Sequence, residues 1–272
     1  MEYIFGAEQP MRAAIEKGDA KGLAELILQN PGFKFQDVSI IEGIKTLYFP
    51  SESGTLLHYA CRSSSRSAVI PLLLAHPGID VNAKNSGGAT PFDLACANGR
   101  TSCVREMLKD SRVKVNEPSN DGYTPLRRAA RNGHLDVIKW WIASGREMDL
   151  GKPGNTDKTD AIGGAKKYGR AEVVSLLERF KKDASKTRSE VRMDLGITGQ
   201  SHAPFFIFFY KINFEFSFFP IDEDFPVSTP PKLTIEQYLA FVGKYVDLLP
   251  PIQVSPPWNL PFSIIVNLFH AI

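Results

Sequence analysis

The sequence predicts an all-α solenoid, with helix-turn-helix units stacked in a row and joined by β-turn fingers, followed by an irregular Phe/Pro-rich C-terminal tail. Three observations carry this. Thr90-Pro91-Phe92 returns 34 residues later as Thr124-Pro125-Leu126. Behind each comes a small pair, Ala95-Cys96 and Ala129-Ala130, and then Asn98-Gly99 and Asn132-Gly133. An apolar set follows, Cys103, Val104, Met107 and Leu108 in one copy, Val137, Ile138, Trp141 and Ile142 in the other. Those spacings put each set on one stripe of a helix. A unit this small cannot bury its own face, so neighbours must stack.

Taken in order, a degenerate unit opens the chain, from Met11 to Lys17, through Gly18, to Leu23, Leu26 and Ile27. Residues 33–54 are longer than a finger needs, and Phe33, Phe35, Val38, Ile40, Ile41 and Ile44 suggest a hairpin there. The next unit runs from Thr55-Leu56-Leu57-His58 through Ala60-Cys61 to Val69, Leu72 and Leu73. Pro71 falls inside its second helix and should remove a hydrogen bond or bend it. In the two clearest units, threonine before proline suits a helix start: the hydroxyl accepts an orphan amide and the ring presets φ. Asn-Gly then tolerates the left-handed turn that ends the first helix. Val81-Asn82 and Val115-Asn116 lead into polar fingers, 83–89 and 117–123. A last unit runs from Asp160-Ala161-Ile162 through Gly169 to Val173, Val174, Leu176 and Leu177. The expected division is 1–54, an N-terminal capping repeat with hairpin; 55–182, repeats; 183–199, a linker; and 200–272, the tail.

The run Thr124-Pro125-Leu126-Arg127-Arg128-Ala129-Ala130-Arg131-Asn132-Gly133-His134-Leu135 resembles the ankyrin repeat, about 33 residues with a Thr-Pro-Leu-His-x-Ala signature. Arg127 stands where the family has histidine; Asp93 and Gly163 replace it elsewhere, and His58 keeps it. The resemblance covers residues 10–182 as about five repeats. It implies that first-helix positions and finger tips line a concave binding face, and that the chain is a non-catalytic protein-interaction module.

Composition agrees with a folded interior and names no partner. The 272 residues are 43% hydrophobic and 23% charged, with a net charge of +2, which argues for neither nucleic acid nor a membrane surface as global partner. Three cysteines are odd in number and build no disulfide framework, so reduced thiols in the cytoplasm or nucleus are expected. The first twelve residues lack the basic and apolar regions of a signal peptide. Cys61 and Cys96 share one repeat position and Cys103 aligns with Val137, so all three read as small core residues. Neither zinc spacing, nor a Gly-x-x-x-x-Gly-Lys-Ser/Thr cradle, nor a His-Glu-x-x-His pair is present. No catalytic residue, cofactor, metal or small-molecule substrate is expected.

The informative constellation is charge. Residues 124–182 hold 13 Lys/Arg against 7 Asp/Glu, whereas residues 1–123 come to −1. Arg127, Arg128 and Arg131 lie on one first helix, and Lys166, Lys167 and Arg170 on the next. The resemblance places these on a basic strip, flanked by finger residues Glu117, Asn120, Asp121, Tyr123, Lys152, Asn155 and Lys158. Arginine forks suit carboxylates or phosphates of an acidic protein partner; a solvated helix surface is the alternative. Nucleic acid is disfavoured, because no aromatic residues interleave the charges. Trp140 aligns with the outward Glu106, where an exposed tryptophan can anchor an interface.

The tail differs in kind. Residues 200–272 hold 12 of the 18 phenylalanines and 10 of the 19 prolines, but one of the 21 glycines. Eight phenylalanines crowd 204–220, interrupted by Lys211 and Glu215, fewer than the ~20 consecutive apolar residues of a spanning helix. Residues 234–249 read as a helix with Ile235, Leu239, Val242 and Val246 on one face. Three readings stay open: an irregular cap on the last repeat, a segment docking a membrane or a partner, or translated noncoding sequence. An adaptor, with repeats holding cargo and tail recruiting an enzyme or a membrane, is the second functional reading.

Overall fold

The computed structural model describes residues 2–31, 54–151, 160–197 and 233–248. The expected hairpin at 33–54, finger residues Lys152, Asn155 and Lys158, and the phenylalanine run at 204–220 lie outside these.

The described residues form helices with no strand among them, and the helices come in pairs. They are α1 (Glu2–Lys17) with α2 (Ala20–Gln29), and α3 (Leu56–Ala60) with α4 (Ile70–Ala75). There follow α5 (Pro91–Ala97) with α6 (Thr101–Leu108), α7 (Pro125–Asn132) with α8 (Leu135–Ser144), and α9 (Ala161–Lys167) with α10 (Ala171–Lys182). First helices stack on first helices and second on second, α3 on α5 on α7 on α9 and α4 on α6 on α8. The stripe residues Cys103, Val104, Met107, Leu108, Val137, Ile138, Trp141 and Ile142 are all buried in one continuous core. Cys61 and Cys96 join them.

Each first helix begins as its sequence dictates. The Thr90 and Thr124 hydroxyls accept the amides of Asp93 and Arg127, with proline next in the chain, and Asp160 does the same for Gly163. Pro71 is accommodated without a kink. The second helix of its unit is split into a 3-10 turn, Ser64–Val69, and α4, whose first turn holds the proline.

Neighbouring units are tied by side chains that bond the backbone of the unit before. Arg100 Nε donates to the Arg62 carbonyl (2.8 Å), His134 Nε2 to Ala97 (3.0 Å) and Arg170 Nε to Arg131 (3.2 Å). These residues stand just before successive second helices. Carbonyls at the ends of the second helices are taken by arginines. Arg112 donates to Leu74, Arg146 to Leu108 (3.1 Å), Arg188 to Ile142 (3.2 Å) and Arg192 to Ala143 (2.9 Å). Asn82 and Asn116 bridge successive fingers in the same way. The first of these ladders requires glycine. Gly133 has φ +83°, and a Cβ on it would stand 2.8 Å from Arg170 Cδ. Gly133→Ala is therefore expected to lower stability by about 1–2 kcal/mol in urea unfolding, from left-handed strain plus the displaced arginine.

Two segments differ from expectation. Residues 183–199, expected as a linker, carry helix α11 (Ala184–Asp194), capped by the Asp183 carboxylate and packed on α8 and α10. Val191 and Thr187 are buried there, so the last full pair is covered by a helix that has no repeat phase. In the tail, α12 (Ile235–Leu248) matches the expected helix, but it packs along α2 at the opposite end of the array, not on the last repeat. Tyr238 and Val242 are its buried contacts. No helix among the described residues is long and apolar enough to cross a membrane.

Candidate functional site

The residues expected to form one basic strip divide into an internal group and an outward one.

Arg127 is internal. It is 2% exposed, with its guanidinium 3.6 Å from the centre of the Tyr123 ring. The cause is the repeat position, which turns into the array rather than toward solvent. His58 shows this two repeats earlier: Thr55 N–H donates to its Nδ1 (3.1 Å), which leaves the proton on Nε2 to reach the Ala89 carbonyl (3.0 Å). Burial lowers the His58 pKa and keeps that ring neutral. Arg127 fills the equivalent space with a larger cation, so it does not line a binding face.

Arg128 is half-buried and bonded on three sides. Its Nη2 donates to Ser119 Oγ (2.7 Å) and Asp121 Oδ2 (2.8 Å), and its Nε lies 3.3 Å from Asp93 Oδ2. Asp93, at the histidine position of α5, is 1% exposed, and neither carboxylate oxygen receives a well-aligned hydrogen bond among the described residues. Burial pushes its carboxyl up to about 7, against the pull of Arg128 and with a further push from Asp121. Partial burial works the same way on Asp121. There, bonds from the Ser119 hydroxyl and the Tyr123 amide, with the Arg128 charge, prevail and hold it below the usual carboxylate range. Arg128 thus clamps the 117–123 finger to two first helices. Tyr123 is buried as the floor beneath Arg127. Glu117 pairs with Lys84 (2.8 Å) and Asn120 bonds the Gly87 and Ser86 backbone, so these finger residues also join unit to unit.

The outward group lies on the last pair and on the end of α7 beside it. Arg131 is half-buried with its guanidinium 4.6 Å from the centre of the Tyr168 ring, itself 41% exposed. Lys166, Lys167 and Arg170 are exposed, as are Arg179, Lys181 and Lys182 in the last turn of α10. Lys166 pairs with Glu178 (2.7 Å) and Arg179 with Glu190 (3.1 Å), exposed pairs of small energetic weight. Lys166, Arg170, Arg179 and Lys182 surround an open groove of about 570 Å³ with Val174 and Ala171 in its wall. The arrangement sets exposed cations, and Glu178 among them, beside a small apolar surface. Trp140 lies elsewhere, on α8, half-buried under the Arg105 guanidinium at 3.9 Å.

The residues offer no nucleophile in the core. Burial raises all three thiols, Cys103 to about 12, so they are neutral near pH 7. Among the described residues no group of three His, Cys, Asp or Glu is gathered to hold a metal.

Sequence reasoning missed the Arg112–Arg146 clamp, although the two stand 34 residues apart, one repeat in phase. Lys181, Lys182 and Tyr238 were also missed; nothing in the repeat pattern marks them.

Comparison with known proteins agrees with this geometry. Residues 57–152 match the family model of ankyrin repeats, in three copies. Over 55 residues the chain is 47% identical to the SMC5-SMC6 complex localization factor protein 1 of Bos taurus and of Homo sapiens, and 44% identical to that of Mus musculus. The aligned stretch is 20% of this chain and 5% of each relative, so the chain spans a small part of their length. With the period, the stacked helix pairs and this match together, residues 57–152 of the chain are ankyrin repeats.

Proposed function

We propose that the chain is a non-catalytic protein-interaction module in which the exposed basic surface of the α9–α10 pair receives an acidic segment of a partner protein. One observation carries the reading. Arg127 and Arg128 are engaged inside the array, whereas Lys166, Arg170, Arg179 and Lys182 line an open groove and Lys167 and Lys181 are exposed on the same helix pair. Binding would be electrostatic at the rim, with a short apolar contact at Val174, and would weaken with salt. Mechanistically the array works as a rigid scaffold: the inter-unit arginine and asparagine bonds hold fingers and helices in one geometry before the partner arrives, which lowers the ordering cost of binding.

The test is affinity capture with the intact chain and with Lys167→Glu/Lys181→Glu/Lys182→Glu in parallel. Captured partners are expected to fall about tenfold or more with the triple variant, while helicity and melting stay unchanged, because all three side chains are exposed. Undiminished capture would overturn the basic-surface reading.

An adaptor role is the second reading. The relatives are named SMC5-SMC6 complex localization factors, and here the tail helix α12 packs at the end of the array opposite the basic surface.

A further inference from the structure

The α9–α10 pair departs from the repeat at two places, and the two departures meet. Gly99, Gly133 and Gly169 are the left-handed turns of successive units. Three residues before them stand Cys96, Ala130 and then Lys166; nine residues after them stand Leu108, Ile142 and then Glu178. In the two earlier units both places lie in the core, with none of the four residues more than 1% exposed. In the last unit the same places carry opposite charges on side chains 58% and 51% exposed, with Lys166 Nζ 2.7 Å from Glu178 Oε1.

Packing does not account for this pair. An exposed ion pair adds little stability, and the repeat itself fills these places with small and aliphatic residues. The groove does account for it. Its lining presents the cations Lys166, Arg170, Arg179 and Lys182 beside Ala171 and Val174, and Glu178 is the carboxylate among them. A carboxylate arriving from outside therefore finds the Lys166 ammonium already bonded. If it displaces Glu178, it leaves a like charge beside itself. A lone carboxylate exchanges one pair for another and gains little by entering. A run of carboxylates reaches Arg170, Arg179 or Lys182 as well, and so gains more than it displaces.

We infer that Glu178 is a built-in competitor for this groove: an acidic segment of a partner protein enters by taking Lys166 from Glu178, and the exchange selects segments with clustered carboxylates over those with one. The inference rests on the basic-surface reading and names the residue that sets its selectivity. A repulsive element placed inside an attractive site is a recognised source of such discrimination.

The experiment uses the full chain and a rhodamine-labelled hexaglutamate peptide, followed by anisotropy at low salt. Glu178→Gln should tighten binding about three- to fivefold, the weight of one exposed pair. Glu172→Gln, an equal change of charge on an exposed α10 residue outside the groove lining, should stay within about 1.5-fold of wild type. Lys166→Ala, which restores the residue of the preceding unit, should erase the gain: in that background Glu178→Gln should also change binding by less than about 1.5-fold. Melting should be unchanged in all of these. Equal binding by wild type and Glu178→Gln overturns the inference, and so does a gain that persists without Lys166, which would mean simple repulsion of the probe. In either case the basic-surface reading stands if Lys167→Glu/Lys181→Glu/Lys182→Glu still loses the peptide. If neither wild type nor Glu178→Gln binds hexaglutamate, that reading falls and the inference with it.

Discussion

Arg127→Glu is expected to unfold the α7–α8 pair at moderate denaturant, with a stability loss of about 3–5 kcal/mol. The side chain is 2% exposed and its cation faces the Tyr123 ring at 3.6 Å. Reversal puts a carboxylate against the negative face of that ring, in a site without water to solvate it. Arg127→Lys should lose far less, about 1 kcal/mol, because the charge remains while the flat stacking group does not. Arg127→His should fall nearest to wild type, because the His58 unit shows how that ring is accommodated at this position. Urea unfolding followed by helicity separates the three. A glutamate variant with the wild-type midpoint would mean that Arg127 is a surface residue after all.

Asp93→Asn should change how stability depends on pH. Burial pushes the folded-state carboxyl up to about 7, above its ordinary 3.8. Between those two values the folded protein holds a proton that the unfolded chain has released. Its contribution is therefore complete below about pH 4 and is lost as pH rises through 7. With ~1.4 kcal/mol per unit, this carboxyl weakens the fold by at most about 4 kcal/mol on going from pH 4 to pH 8, a figure that already includes the pull of Arg128. Asparagine carries no such charge. The variant should match wild type near pH 4 and exceed it by about 1–3 kcal/mol at pH 8. Unfolding midpoints measured at both values decide it: a variant whose advantage does not grow with pH contradicts a buried, proton-holding Asp93.

The helices were legible in the sequence because their cause is local. Stripes such as Val137, Ile138, Trp141 and Ile142, and caps such as Thr124 followed by Pro125, fix element and phase together. Charge was legible only as a total. Arg127, Arg128 and Arg131 read alike along the chain, yet the structure uses one as a core cation, one as a finger clamp and one as a cover for Tyr168. Which use prevails depends on the adjacent unit: Tyr123 beneath Arg127, and Asp93 and Asp121 around Arg128. No periodicity within one unit reports that. The same holds for α11, whose polar sequence docks through Arg188 and Arg192 onto α8 carbonyls. It holds also for Tyr238, whose acceptor lies 166 residues away.

The central claim is that internal cations hold the array and outward cations meet the partner. Capture yield for Arg128→Ala against Lys181→Glu/Lys182→Glu, at a temperature where both are folded, tests it most directly. Arg128→Ala should keep its partner within about twofold although its melting temperature falls, and the lysine reversal should lose it about tenfold with melting unchanged. Loss of capture with Arg128→Ala and full capture with the lysine variant would contradict the division of charge and return the binding face to the first helix at 125–132.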